Sequence, residues 1–199
     1  MVSAARAVPA CTAFVLWRTP LSTGAVVWFT PGTVHRLVNA DGELDILTLM
    51  SNAGLPEAGD AVLTFPMSVL RDPARYRDHA VLPTTGDDDA LAAAARARRD
   101  LALVGFAELR ERAADDLGAA LSALHAESAA LVRDRVGEWK RLVTEGPGAQ
   151  LDATAGQLAS LAAGDPGVMA TSGIAVSHPD AATRWGMCGR LTTWSPGAH

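Results

Sequence analysis

The residue of this 199-residue chain with the clearest capacity for chemistry is His35, because an imidazole can bind a metal ion. It belongs to a spaced set of turn-forming and polar residues: Gly24, Thr30, Gly32, His35 and Asn39. The pattern predicts a strand over 25–29, a turn at 30–33 and a second strand over 34–38. Since the side chains of a strand alternate between two faces, His35 and Leu37 are expected to share one face.

This spacing resembles the second conserved motif of the cupin superfamily, in which proline usually occupies the place of Thr30. The resemblance implies a β-hairpin of a small barrel, with the histidine pointing inward as one metal ligand. The pocket or ligand-binding residues implied are His35, Trp28, Phe29, Leu37 and Asn39. The first cupin motif carries two histidines and a glutamate, and neither residue type occurs before Gly24. Either the chain has lost this motif or the recorded sequence omits it.

The missing motif limits the chemistry that the resemblance implies. Cupin enzymes hold iron, manganese, nickel or zinc through three or four protein ligands, and only His35 matches a ligand position here. One imidazole does not make a strong site, because affinity depends on the number and geometry of the ligands. We therefore expect no tightly bound metal. The alternative is a divalent transition metal held by His35 with Cys188, although Cys188 also fits a small buried hydrophobic residue.

Two further segments, residues 52–66 and 186–191, resemble a group of bacterial cupin-domain proteins in which a helical extension follows the barrel. The fold expected from the resemblance is α+β. It comprises a partial cupin-like β-barrel of the jelly-roll type, an α-helical extension and a C-terminal β tail. The corresponding parts are residues 1–84, residues 85–167 and residues 168–199, the last expected to pack on the β domain.

The helical part can be predicted from the residues themselves. The aspartates at 87–89 suit the first turn of a helix that runs from Ala90 to about Asp115, in which Gly105 marks a close packing point. Apolar residues then recur at helical spacings over 117–142, and Gly146, Pro147 and Gly148 are expected to end that helix. A third amphipathic helix is expected from Leu151 to Ala162. The simplest interpretation of all three is a packing role.

Composition excludes several classes of function. A formal net charge of −5 argues against nucleic acid as a partner, because phosphate binding needs a basic surface. The apolar stretch at 7–17 is too short to span a bilayer and is a poor secretory signal, so we expect a cytoplasmic protein without a membrane partner. The two cysteines are expected to be free thiols. The histidines show no metal-ligand spacing among themselves: His35, His79, His125, His178 and His199.

Three functional hypotheses follow. The first is a cupin-like small-molecule-binding protein with an incomplete metal site. The second is a metal-dependent cupin enzyme, of oxygenase or isomerase type, that completes its site with Cys188, His178 or carboxylates. The third is a non-catalytic oligomeric assembly protein. Each is compatible with a homodimer, which we expect because uncovered strand edges invite pairing with another chain.

Overall fold

Helices account for most of the secondary structure in a computed structural model, which describes residues 2–6, 15–48, 55–56, 58–180, 184–187 and 189–194. The helices are α1 (Met67–Leu70), α2 (Pro73–Ala80), α3 (Asp88–Asp115), α4 (Leu117–Val132), α5 (Val136–Val143) and α6 (Ala149–Ala162). Two 3₁₀ segments and a π turn accompany them, at Arg133–Arg135, Gly167–Thr171 and Thr144–Gly148.

The strands within these ranges form two small antiparallel sheets. They are β1 (Val2–Arg6), β2 (Val15–Thr19), β3 (Val34–Leu37), β4 (Arg184–Gly186) and β5 (Gly189–Leu191). In the first sheet β1 lies between β2 and β3, so that Ala4 is opposite both Trp17 and His35. In the second sheet β4 pairs with β5. The strand predicted at 34–38 is confirmed as β3.

Contacts divide the chain into two compact units. Unit 1 comprises Met1–Leu47 and Val62–Arg133, and unit 2 comprises Thr48–Ala61 and Asp134–His199. The three-part division expected from the sequence, and the packing of its tail on the β domain, stay predictions. No helix in the described part of the chain is both long and apolar enough to cross a membrane.

The core of unit 1 is helical. Its buried residues come from α1, α3, α4 and the segment before α1: Phe65, Val69, Leu70, Leu109, Ala113, Ala120, Leu121 and Leu124. β3 touches this core through Val34, which packs against it. Gly105 lies on α3 where the segment at 64–66 crosses, and a Cβ there would overlap the backbone of that segment. The predicted close packing point at Gly105 is thus confirmed.

Aspartates define where the helices of unit 1 begin. Asp87 accepts a hydrogen bond from the backbone N–H of Ala90 at 2.8 Å, and Asp116 accepts one from Ala119 at 2.9 Å. Each bond satisfies an N–H group that has no partner within the helix. The backbone of Asp116 is extended, with φ of −149°, so it separates α3 from α4. The helix predicted from Ala90 to Asp115 is therefore confirmed.

The expected α+β fold, with a partial cupin-like β-barrel of the jelly-roll type, is wrong. The structure is mostly helical, and the described strands make only small sheets that do not close into a barrel. Residues 25–29 were expected to form a strand and lie outside the described strands. The physical reason is that β propensity measures how well a side chain fits a packed, pleated surface. An apolar run therefore does not determine a strand unless a partner strand lies beside it. A helix, in contrast, makes its backbone hydrogen bonds within itself.

Unit 2 contains a helix that continues through the point where an end was predicted. Gly146, Pro147 and Gly148 belong to a π turn, and backbone angles stay helical on both sides of it. We call the whole of Val136–Ala162 the composite helix. The indole N–H of Trp139 donates to the carbonyl oxygen of Ala58 at 3.2 Å, which holds the loop at 58–61 against α5.

Candidate functional site

His35 is the second residue of β3, and its side chain is exposed. The ring stacks on Phe29, with 4.1 Å between the ring centroids and 22° between the planes. Its Nδ1 lies 3.1 Å from the carbonyl oxygen of Thr33. Both contacts are local, so the ring lies at the surface beside the turn and does not face the barrel interior that the cupin resemblance implied.

The other predicted pocket residues are spread along the same segment. Trp28 is 84% exposed, and Leu37 is half-buried at the end of β3. Asn39 has a structural role, because its Oδ1 accepts hydrogen bonds from the backbone N–H groups of Gly42 at 2.9 Å and Leu44 at 3.3 Å. The structure therefore brings Phe29 and His35 together, while Asn39 stabilises the turn at 39–42. The assignment of these residues to a ligand pocket stays a prediction.

The residues that the structure describes do not fit a cupin metal centre. They contain no cluster of three or more His, Cys, Asp or Glu side chains able to hold an ion. Cys188 lies outside the described residues, and His178 is exposed in unit 2. A metal-dependent mechanism would need ligands besides His35, and no such set lies beside it in the described ranges.

Substitution of His35 tests this arrangement. We expect His35→Ala to leave the metal content of the purified protein unchanged, because one exposed imidazole does not make a strong site. We also expect the free energy of unfolding to change by less than about 1 kcal/mol, since the lost contacts are exposed. Elemental analysis by mass spectrometry and urea unfolding measure the two quantities. Loss of a stoichiometric metal on substitution would show that His35 is a ligand.

His125 makes a contact that the sequence did not reveal. Its Nε2 lies 3.0 Å from the carbonyl oxygen of Gly32, 93 residues earlier in the chain. Gly32 has φ of +81°, so the turn at 30–33 presents this carbonyl through a backbone conformation that glycine favours. The contact attaches the turn to α4. Its separation along the chain explains why no local pattern predicted it.

A surface depression of unit 1 combines charges of both signs. It is open, about 470 Å³ in volume, and lined by Met67, Arg71, Glu108, Glu111 and Arg112. Nε of Arg71 donates to Glu127 at 2.9 Å, and Nε of Arg112 donates to the carbonyl oxygen of Glu108 at 3.4 Å. The two guanidinium groups are thus engaged within the protein, and the depression has no strong preference for an ion of either sign.

Among the helices of the described residues, the composite helix of unit 2 displays the most exposed leucines. Leu151, Leu158 and Leu161 are 70%, 63% and 53% exposed, and no residue of α6 is buried. They continue a line of apolar residues on α5, and we call the whole set the apolar stripe: Val136, Trp139, Val143, Leu151, Leu158 and Leu161. The sequence predicted an amphipathic helix here and assigned it to packing. The structure instead leaves its apolar side uncovered.

The π turn keeps the two halves of the apolar stripe in line. Pro147 has no N–H to donate, and its ring crowds the carbonyl group four residues earlier, so regular α-helix is disfavoured. The N–H of Ala149 donates to the carbonyl oxygen of Thr144, five residues back. A π turn takes up one more residue than an α turn. The eight residues from Val143 to Leu151 therefore complete about two turns, and both side chains lie on one side.

A shallow depression follows the α5 half of the stripe. It measures about 400 Å³ and is lined by Val136, Trp139, Lys140, Val143 and Thr144. The guanidinium group of Arg135 lies over the ring of Trp139, at 5.8 Å from its centroid, and the indole N–H is bonded to Ala58. Trp139 is thus held in a fixed position beside the depression. The surface is mostly apolar, which suits the apolar face of another helix.

Comparisons with known proteins found no relative of this chain. No protein-family model, no curated protein sequence and no solved structure matches the chain. The likeness to cupins therefore stays an interpretation of sequence motifs, and its barrel is not found in the described structure.

Proposed function

We propose that this chain is a non-catalytic assembly protein that associates with a second copy of itself through the apolar stripe of the composite helix. The observation that carries the proposal is the exposure of Leu151, Leu158 and Leu161 in the α6 part of the composite helix. No residue of α6 is buried. An amphipathic helix owes most of its stability to packing of its apolar face. A second copy supplies that packing.

The apolar surface of the composite helix is large enough to contribute to pairing of two copies. Completing the burial of a leucine that is more than half exposed contributes about 1 kcal/mol, and three leucines on each copy contribute on the order of 6 kcal/mol. The composite helix is roughly 40 Å long at the rise of an α-helix. Two such helices side by side approach the scale of a standard interface, about 800 Å² per partner. Homodimers with two-fold symmetry are the commonest oligomers.

The charged residues of α6 do not oppose pairing of the stripe with a second copy. Asp152 is the one charged residue of α6, and it borders the leucines without interrupting them. Two copies can therefore bring their leucines together without burying like charges. As part of this proposal we place the assembly in the cytoplasm. The two cysteines support this location, because their spacing does not indicate a disulfide framework.

Truncation of two leucines tests the proposal without weakening the helix. We expect Leu151→Ala with Leu158→Ala to weaken self-association about 100-fold or more, because four buried leucines are lost per dimer. Alanine is the best helix former, so loss of helix cannot explain the effect. Sedimentation velocity over a concentration series measures the dissociation constant.

The matched control is Gln150→Ala with Gln157→Ala, which has the same spacing on the same helix but lies outside the stripe. We expect its dissociation constant to stay within about twofold of wild type. Equal dissociation constants for the leucine variant and wild type would contradict the proposal.

A second candidate function keeps the small-molecule-binding part of the sequence-based hypothesis without a barrel. The observation that favours it is the Phe29 and His35 stack beside Trp28, which is 84% exposed. Aromatic side chains of this kind bind planar ligands by stacking. Titration of a panel of aromatic small molecules into wild type and Trp28→Ala tests this candidate function. Equal binding by the two proteins would contradict it.

A further inference from the structure

We propose that the two copies pair with their composite helices antiparallel, about a two-fold axis near Pro147, and that Lys140 of each copy forms an ion pair with Asp152 of the other. The inference rests on the proposed self-association and specifies its geometry. Pro147 lies about midway between Val143 and Leu151, so α5 of one copy faces α6 of the other.

An axis at Pro147 sets five of the six stripe residues opposite an apolar residue of the other copy. Positions at equal distances before and after the axis face each other, and three of the resulting pairs are apolar: Val143 with Leu151, Val136 with Leu158, and Trp139 with Ala155. Leu161 lies at the level of Arg133. The large indole ring meets the smallest of these side chains, which allows close packing. Gly146 and Gly148 flank the axis and let the two backbones approach where the helices cross.

The charges beside the stripe favour the same arrangement. Arg141 pairs with Glu145 at 2.6 Å, and Arg135 lies 4.0 Å from Glu138. Lys140 and Asp152 have no ion-pair partner among the described residues of their own copy. Each follows a stripe residue by one position, Lys140 after Trp139 and Asp152 after Leu151, so both border the stripe on the same side.

Antiparallel helices bring the same borders of the two copies together. Lys140 of one copy then lies at nearly the level of Asp152 of the other, and the two-fold axis repeats the contact. A parallel pair in register would instead bring opposite borders together and would leave Lys140 roughly 18 Å along the helix axis from Asp152 of the other copy. Of the two arrangements, the antiparallel one brings these opposite charges into contact, and their attraction favours it.

Lys140 is the only lysine of the chain, which allows a direct test. A water-soluble carbodiimide joins an amine to a carboxylate in direct contact, and peptide mass spectrometry identifies the joined residues. Within one copy Lys140 and Asp152 lie twelve residues apart, roughly 18 Å along a helix, which is too far for such coupling. We expect a covalent dimer whose new amide bond joins Lys140 to Asp152.

Mixing isotope-labelled and unlabelled chains distinguishes coupling between copies from coupling within one. We expect Lys140→Arg to keep the dimer and lose the coupling, since a guanidinium group keeps the charge but offers no reactive amine. A dimer that couples Lys140 only to other carboxylates would overturn the antiparallel arrangement and leave self-association standing. A chain that sediments as a monomer would overturn both.

Charge reversal provides a second measurement. We expect Lys140→Glu to weaken self-association about tenfold, because two attractive contacts per dimer become repulsive. Adding Asp152→Lys to the same chain should restore the dissociation constant to within about twofold of wild type, since it re-forms both pairs with exchanged signs. Additive weakening by the two substitutions would contradict the pairing.

Discussion

Replacement of Gly105 by alanine is expected to destabilise unit 1 by about 3 kcal/mol. The added Cβ would overlap three backbone atoms, the carbonyl oxygen of Thr64, the carbonyl carbon of Phe65 and the nitrogen of Pro66. Backbone atoms cannot rotate away as the end of a flexible side chain can. Thr64 is also held in place, because its hydroxyl donates to the carbonyl oxygen of Ala102 at 3.0 Å. Urea unfolding followed by circular dichroism measures the loss.

Gly118→Ala is the matched control, because this glycine lies on α4 in the same unit. A Cβ there would stand 3.4 Å from the Asp116 carboxylate, which is ordinary contact. We expect its stability to stay within about 1 kcal/mol of wild type, since alanine is favoured over glycine in helices. If both variants were equally stable, the segment at 64–66 would not cross α3 at Gly105.

Leu109→Ala is also expected to lower the free energy of unfolding by about 3 kcal/mol, for a different reason. Leu109 is 2% exposed and lies in the helical core, so truncation removes apolar contacts and leaves a cavity. Val104→Ala on the same helix serves as the control, because Val104 is 53% exposed. We expect that variant to lose less than about 1 kcal/mol. Similar losses in the two variants would contradict the placement of α3 against this core.

Local signals predicted α3 and α6 well, whereas the single helix expected over 117–142 is divided into α4 and α5 by the 3₁₀ segment at Arg133–Arg135. The aspartates before Ala90 act as caps because a carboxylate accepts from free N–H groups wherever a helix begins. The α6 boundaries follow from propensity and from Gly164, which has a positive φ beyond the end of the helix. Such signals depend on neighbours in sequence, so they survive even where the overall fold is misjudged.

Contacts between distant residues could not be predicted in the same way. The apolar run at 25–29 has the composition of a strand, yet whether it becomes one depends on a partner strand elsewhere in the chain. Pro147 suggested a helix end, because sequence alone does not show that a π turn can accommodate a proline. The amphipathic pattern of α6 could be recognised in the sequence. Such a pattern does not show whether the apolar face packs against the same chain or against another copy.

The same limit applies to the candidate site. His35 and Phe29 were both named as pocket residues, and the structure stacks their rings because a turn joins their segments. The inward orientation of His35 was inferred from a barrel that the described residues do not form. A metal site needs several ligands from separate parts of a chain, and one motif cannot supply them.

The mass of the protein in solution tests the central claim most directly. Sedimentation equilibrium or light scattering on the wild-type chain, from about 1 μM to about 1 mM, gives this mass without labels or substitutions. Self-association through the composite helix predicts a mass twice that of the 20.7 kDa chain, falling toward the monomer value on dilution. A mass of 20.7 kDa across the whole concentration range would contradict the account.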